Sequence, residues 1–118
     1  MALDAALEEF RALLGPKAFV DDADTLAPWL TDWRGRYTGR AAAMLLPQST
    51  QEVAAIMRIA SKHRVAIVPQ GGNSGMVAGA TPDDSGNNVL LSLRRMNRIL
   101  SIDSESGLVE AEAGVVLQ

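Results

Sequence analysis

The chain has 118 residues, 47% of them apolar and 21% charged, with a net charge of −3 at pH 7. That length suits one domain at most, and the composition is that of a globular protein without low-complexity tracts. The balance offers no general attraction to nucleic acid or anionic lipid, no apolar run reaches the ~20 residues of a membrane-spanning helix, and the absence of cysteine excludes disulfides, thiolate metal sites and thiol nucleophiles. A cysteine-free chain fits a reducing cytoplasm, the expected location.

The segment from Met1 to Glu9 is acidic and periodic, unlike a signal peptide. Leu3, Ala6, Leu7, Phe10, Leu13 and Leu14 recur at the three-four spacing of an amphipathic helix, which Gly15-Pro16 stops. Residues 17–40 predict an irregular lead-in: Asp24 can cap a short helix, Pro28 interrupts it, and Trp29, Trp33 and Tyr37 are expected to pack onto the core. Charge is unevenly spread, with six acids against two bases in residues 1–30 and six bases against two acids in residues 31–64. Arg34, Arg36 and Arg40 are candidate anion contacts, though a solvated loop is the better reading.

Ala41 to Leu46 reads as a buried strand closed by Pro47. Ser49-Thr50-Gln51-Glu52 is a capping box, in which the Ser49 hydroxyl accepts the Glu52 amide and the Glu52 side chain returns to the Ser49 amide. Val53, Ile56, Met57 and Ala60 then form an apolar stripe, and Lys62, His63 and Arg64 place positive charge at the helix end; His63 reads as a solvated terminal residue. Val65 to Val68 is the next strand, giving a βαβ unit with parallel strands and a right-handed crossover. After a turn-rich stretch from Thr81 to Asn88, Val89 to Leu93 predicts another strand. Ile99 to Asp103 and Leu108 to Ala113 predict an antiparallel hairpin about Ser104–Gly107. The expected class is α+β, a βαβ start followed by a meander. Ala113-Gly114-Val115-Val116-Leu117-Gln118 resembles a strand leaving through glycine into a further apolar element, as expected of a fragment of a longer protein.

Four glycines, Gly71, Gly72, Gly75 and Gly79, fall within nine residues after the second strand. Glycine allows positive φ and close backbone approach to a ligand, and successive amides in such a turn can converge into an anion-binding nest. Asn73 and Ser74 add short polar side chains, while Met76, Val77 and Ala78 are expected to pack the loop down. No Lys-Ser/Thr pair follows the glycines, so this is not an NTPase phosphate loop. The spacing is not G-x-G-x-x-G and no helix follows, which argues against a Rossmann site. Taken alone, a mobile connection remains an equal reading.

Val68-Pro69-Gln70-Gly71-Gly72-Asn73-Ser74-Gly75-Met76-Val77-Ala78-Gly79-Ala80 resembles the pyrophosphate loop of FAD-linked oxidases with the vanillyl-alcohol-oxidase (PCMH) type of flavin domain. Leu46–Val53, Leu91–Leu100 and Gly107–Val115 resemble further family segments in the same order. The Gln-Gly-Gly-Asn-Ser-Gly-Met form is similar to that of D-2-hydroxyglutarate, D-lactate and glycolate dehydrogenases. The resemblance implies a lead-in over residues 1–40 and the first part of an FAD-binding domain over 41–118. It implies FAD as cofactor, held by Pro69, Gln70, Gly71, Gly72, Asn73, Ser74, Gly75, Met76, Ala78 and Gly79. Asn73 stands where covalently linked relatives often carry histidine, so the flavin is expected to be non-covalent. The parent protein is expected to oxidise a small D-2-hydroxyacid to a 2-oxoacid, with the same flavin fold acting on an alcohol, sugar or enolpyruvyl substrate as the alternative, and a non-catalytic nucleotide-binding module as a third reading. No catalytic residue or metal ligand is nominated, because Asp83, Asp84, Asp103, Glu105, Glu110 and Glu112 fall in turns or on solvent-facing strands. Nucleic acid is not an expected partner, no transmembrane segment is expected, and open strand edges allow a homodimer.

Overall fold

A computed structural model describes residues 2–116. Met1, Leu117 and Gln118 lie outside the described residues, and with them the last positions of the expected further apolar element. Helix α1, Ala2–Leu14, buries Ala6 and Phe10, one turn apart, while Leu13 stays exposed. Gly15 ends it at φ +78, its N–H donating to the Arg11 carbonyl at 2.9 Å, the left-handed stop that glycine permits.

The lead-in is more ordered than its composition suggests. Phe19–Val20 forms a short strand, β1, and Ala23–Leu26 a one-turn helix, α2. The cap of α2 is Asp22, not Asp24: Asp22 has the extended backbone an N-cap needs, and its carboxylate accepts the Thr25 N–H at 3.0 Å and the Thr25 hydroxyl at 2.7 Å. Pro28 does not break the chain but sits in the first turn of a 3-10 helix, Ala27–Trp29, where its missing N–H costs nothing. Trp29 packs partly buried against the core, whereas Trp33 and Tyr37 are 63% and 61% exposed. They ride on a projecting turn in which the Asp32 carboxylate, itself buried, accepts the Tyr37 N–H at 2.7 Å, and so cannot reach the core.

Strand β2, Ala41–Leu45, leads through buried Pro47 into helix α3, Thr50–His63. The Ser49 hydroxyl caps α3 by accepting the Glu52 N–H at 3.1 Å, but the Glu52 carboxylate returns to the Gln48 N–H, one residue before the cap. Ile56 and Ala60 are buried; Met57, expected on the same stripe, is exposed, and Ile59 packs instead. His63 is not solvated: its side chain is 14% exposed and meets Glu9 of α1, with Lys62 on the other Glu9 oxygen at 3.4 Å. Arg64, at φ 55, ends the helix, so strand β3, Ile67–Gln70, begins two residues later than expected.

Strand β4, Asn88–Ser92, is buried throughout and lies between β2 and β3, parallel to both. The sheet order is β1-β2-β4-β3, with β1 antiparallel to β2. The α+β class and the βαβ unit stand, but β4 belongs to the parallel sheet, not to a meander. An apolar run such as Val89-Leu90-Leu91 can bury both faces only in a central position. Alternation does the rest. Ala43, Leu45, Val89 and Leu91 face α1 and α3, while Met44, Leu46 and Leu90 face α2 and Trp29. Strands β5, Ile99–Asp103, and β6, Leu108–Ala111, form a separate antiparallel hairpin, exposed along its whole length.

Candidate functional site

The loop after β3 leaves from the carboxyl edge of the parallel strands, where open α/β sheets bind ligands. Besides those with a left-handed backbone, such as Gly15, the glycines of this protein fall into two groups. Gly114 and Gly39 are demanded by packing: a Cβ would lie 1.7 Å from the Leu93 carbonyl oxygen in the first case and from the Pro82 carbonyl oxygen in the second. Gly71, Gly72, Gly75 and Gly79 are not. A Cβ at any of them would meet nothing within 4 Å, and none has the left-handed φ that favours glycine. The positive φ values in the loop belong to Asn73, at 56, and Ala78, at 62. Nothing among the described residues therefore requires these four glycines.

Among the described residues, no backbone N–H from Gly71 through Ala80 donates a hydrogen bond to a protein atom. A row of free, closely approachable N–H groups is what a phosphate needs. Gly71, Gly72 and Ser74 line one wall of a cleft of about 330 Å³, and Ala113, Gly114, Val115 and Val116 line the other. That facing wall was not among the sequence candidates; the tightly packed Gly114 between Ala113 and Val115 was its trace in the sequence. Met76 and Val77, expected to pack down, are instead exposed.

The Gln70 and Asn73 side chains are absent from the cleft lining, whereas Ser74 is part of it. Gln70 is buried at 1% exposure, and its Nε2 donates to the Trp29 carbonyl at 2.9 Å and the Ala80 carbonyl at 3.1 Å. Asn73 Nδ2 donates to the Thr31 carbonyl at 2.9 Å. Pro69, at the exposed edge of β3, brings no N–H. Gln70 Oε1 and the hydroxyl of Ser92, its register partner on β4, are buried without a hydrogen-bond partner among the described residues.

A larger cleft of about 480 Å³, lined by Gln48, Ser49, Glu52, Arg95, Asn97 and Arg98, contains no glycine-loop residue. Several of its polar groups are engaged: Glu52 holds the Gln48 N–H, Arg95 donates to the Leu46 carbonyl, and Arg98 pairs with Glu112. Arg34 and Arg36 are exposed, and Arg94 lies 4.4 Å over the Trp29 ring. Asp83 and Asp103 accept turn hydrogen bonds from the segments that follow them, which hold both carboxyls below their ordinary value. Glu112 was expected at solvent; instead its side chain is 9% exposed and hydrogen-bonded to Arg98, which lowers its pKa. None of these acids faces the glycine cleft.

The family model described as "FAD binding domain" matches residues 41–118. The chain is 42% identical over 111 residues to the D-2-hydroxyglutarate dehydrogenase, mitochondrial, of Arabidopsis thaliana, covering 92% of this chain and 19% of the relative. It is 39% identical over 105 residues to the enzyme of the same name from Bos taurus, covering 87% and 19%. Among solved structures, p-cresol methylhydroxylase superposes with a TM-score of 0.78 at 29% identity, covering 97% of this chain and 22% of that one. The chain thus spans about a fifth of the length of these relatives. Their names also correct the expected cytoplasmic location, since both dehydrogenases are named mitochondrial. Lack of cysteine reports on redox conditions, not on the compartment.

Proposed function

Since the chain belongs to the FAD binding domain family, we propose that the loop from Pro69 to Gly79 holds the cofactor by its pyrophosphate. One observation carries this reading. Gly71, Gly72, Gly75 and Gly79 leave open space where a side chain would be, along a run of backbone N–H groups with no partner among the described residues. The open glycines let phosphate oxygens approach the amides closely. Pro69, Gln70, Gly71, Gly72, Asn73, Ser74, Gly75, Met76, Ala78 and Gly79 make up the binding segment, with the exposed Ser74 hydroxyl as an additional donor. Binding is non-covalent: the loop carries no histidine or cysteine, and His63 is engaged with Glu9. Bound there, FAD supplies the two-electron acceptor of an oxidoreductase.

The full-length parent oxidises a small D-2-hydroxyacid to its 2-oxoacid, a reading supported by the names of the relatives. Residues 41–118 contribute the first part of its flavin domain, and residues 1–40 lead into it and brace it. The isolated chain associates into a homodimer through the exposed apolar side of β5–β6, where Ile99, Ile102 and Val109 lie on one face.

Titrating the chain with FAD by flavin fluorescence tests the cofactor reading, with inorganic pyrophosphate as competitor and riboflavin, which has no phosphate, as control. FAD is expected to bind, pyrophosphate to displace it, and riboflavin to bind far more weakly. Equal binding of riboflavin and FAD, or no binding at millimolar FAD, overturns it.

A further inference from the structure

A loop that keeps its own amides free cannot brace itself with them. Among the described residues, backbone hydrogen bonds, the ordinary means of fixing a turn, are absent from Gly71 to Gly79 apart from one at the exit, where the Thr81 N–H reaches the Ala78 carbonyl at 3.2 Å. The bracing comes from outside, through two side-chain carboxamides. Gln70 joins the loop's entrance to its exit by donating to Ala80, and joins both to the lead-in by donating to Trp29. Asn73, three residues on, ties the middle of the loop to Thr31. Trp29 is itself held under the Arg94 guanidinium, and Thr31 is fixed by an antiparallel bridge and a 3.0 Å hydroxyl contact to Thr38.

We propose that Gln70 and Asn73 are positioning residues that hold the phosphate-binding loop open by clamping it to the Trp29–Thr31 backbone, leaving every loop N–H for the ligand. This rests on the cofactor reading above and assigns a role to the two side chains that a direct ligand contact does not require. The orientation of the Gln70 amide is fixed by its partners. Two carbonyl oxygens can face only the NH2 end, so Oε1 points the other way, buried and without a partner among the described residues. Asn suits position 73 for a second reason, since it tolerates the left-handed backbone found there.

The test uses this chain and two variants, Gln70→Met, which keeps the volume and loses both donors, and Asn73→Gly, which keeps the left-handed φ and loses the clamp. Three quantities are read: thermal midpoint, FAD affinity well below that midpoint, and NMR order parameters of Gly71–Gly79. In the parent chain the loop is expected to be rigid, with order parameters near ~0.85, although its amides exchange rapidly; in the variants they fall toward ~0.6. FAD affinity is expected to weaken about tenfold per lost clamp, the consequence of losing one ordinary hydrogen bond's worth of preorganisation. A purely structural role lowers the midpoint and leaves both the affinity of the folded protein and the loop order unchanged, and that result overturns the proposal. If Gln70→Met does not fold, Asn73→Gly decides. If the parent chain fails to bind FAD while its loop is rigid and the variants' loops are not, the cofactor reading falls and the clamp stands.

Discussion

Replacing Gly72 with alanine separates ligand-driven from fold-driven glycine. The added methyl would meet no atom within 4 Å, and the backbone is not left-handed. Alanine then costs the folded state nothing and narrows the unfolded ensemble. The expected effect on stability is zero to a gain of about 0.4–1 kcal/mol, or a rise of up to roughly 5 °C in Tm. FAD binding should move the opposite way. A methyl between loop and pyrophosphate denies at least one amide its charged partner, and hydrogen bonds to charged groups are worth about 1.5–3 kcal/mol, roughly 10- to 150-fold in Kd. Gly114→Ala is the counterpart: its Cβ would lie 1.7 Å from the Leu93 carbonyl oxygen and 2.8 Å from that of Met96, an overlap only backbone movement relieves, at a cost of about 2 kcal/mol or more. Circular dichroism melts with fluorescence titrations measure both arms. A Gly72→Ala protein that loses more than about 1 kcal/mol of stability, or binds FAD like the parent, refutes the reasoning.

Leu90→Ala, at the fully buried centre of the middle strand, should lower stability by about 2–5 kcal/mol in urea titrations. The hydrogen bond from His63, aided by Lys62, holds the Glu9 carboxyl below its ordinary value of 4.5 despite an opposing desolvation effect. Its stabilising contribution is therefore present above pH 4.5 and lost as pH falls through the depressed value. Glu9→Gln should lower Tm at pH 7 and flatten its decline into acid, and identical slopes in parent and variant count against it. Glu112→Gln should behave likewise, because the Arg98 hydrogen bonds depress that carboxyl too, with the added result that amide exchange quickens across β5 and β6. Paired Ile102→Lys and Val109→Lys substitutions should leave Tm nearly unchanged and shift the chain toward monomer in light scattering, since both side chains are exposed.

Periodic features were legible where local rules decide them. The spacing of Ala6 and Phe10, the Gly15 stop, the Ser49 cap and the β5–β6 turn all act within a few residues. The α3 stripe rotated slightly, burying Ile59 and exposing Met57, because its direction is set by packing against α1. Pairings distant in sequence left no local trace: β4 between β2 and β3, β1 against β2, His63 against Glu9. The glycine loop could be found from its composition, and the family likeness supplied the candidate ligand. Its supports were hidden, because the carbonyls of Trp29 and Thr31 are main-chain groups that any residue could provide, 41 and 42 residues from their donors.

The strand order has a consequence for how the protein comes into being. During synthesis β2, α3 and β3 all leave the ribosome before β4, yet β2 and β3 each pair with β4 and not with one another. Until residues 88–92 emerge, two apolar strands have open edges and no partner for each other, the condition in which nascent chains associate wrongly. The glycine loop and the turn after it, residues 71–87, also form the leash that lets β4 double back into the gap. The segment proposed to hold the cofactor therefore has an earlier duty, as the last hinge to close before the sheet exists.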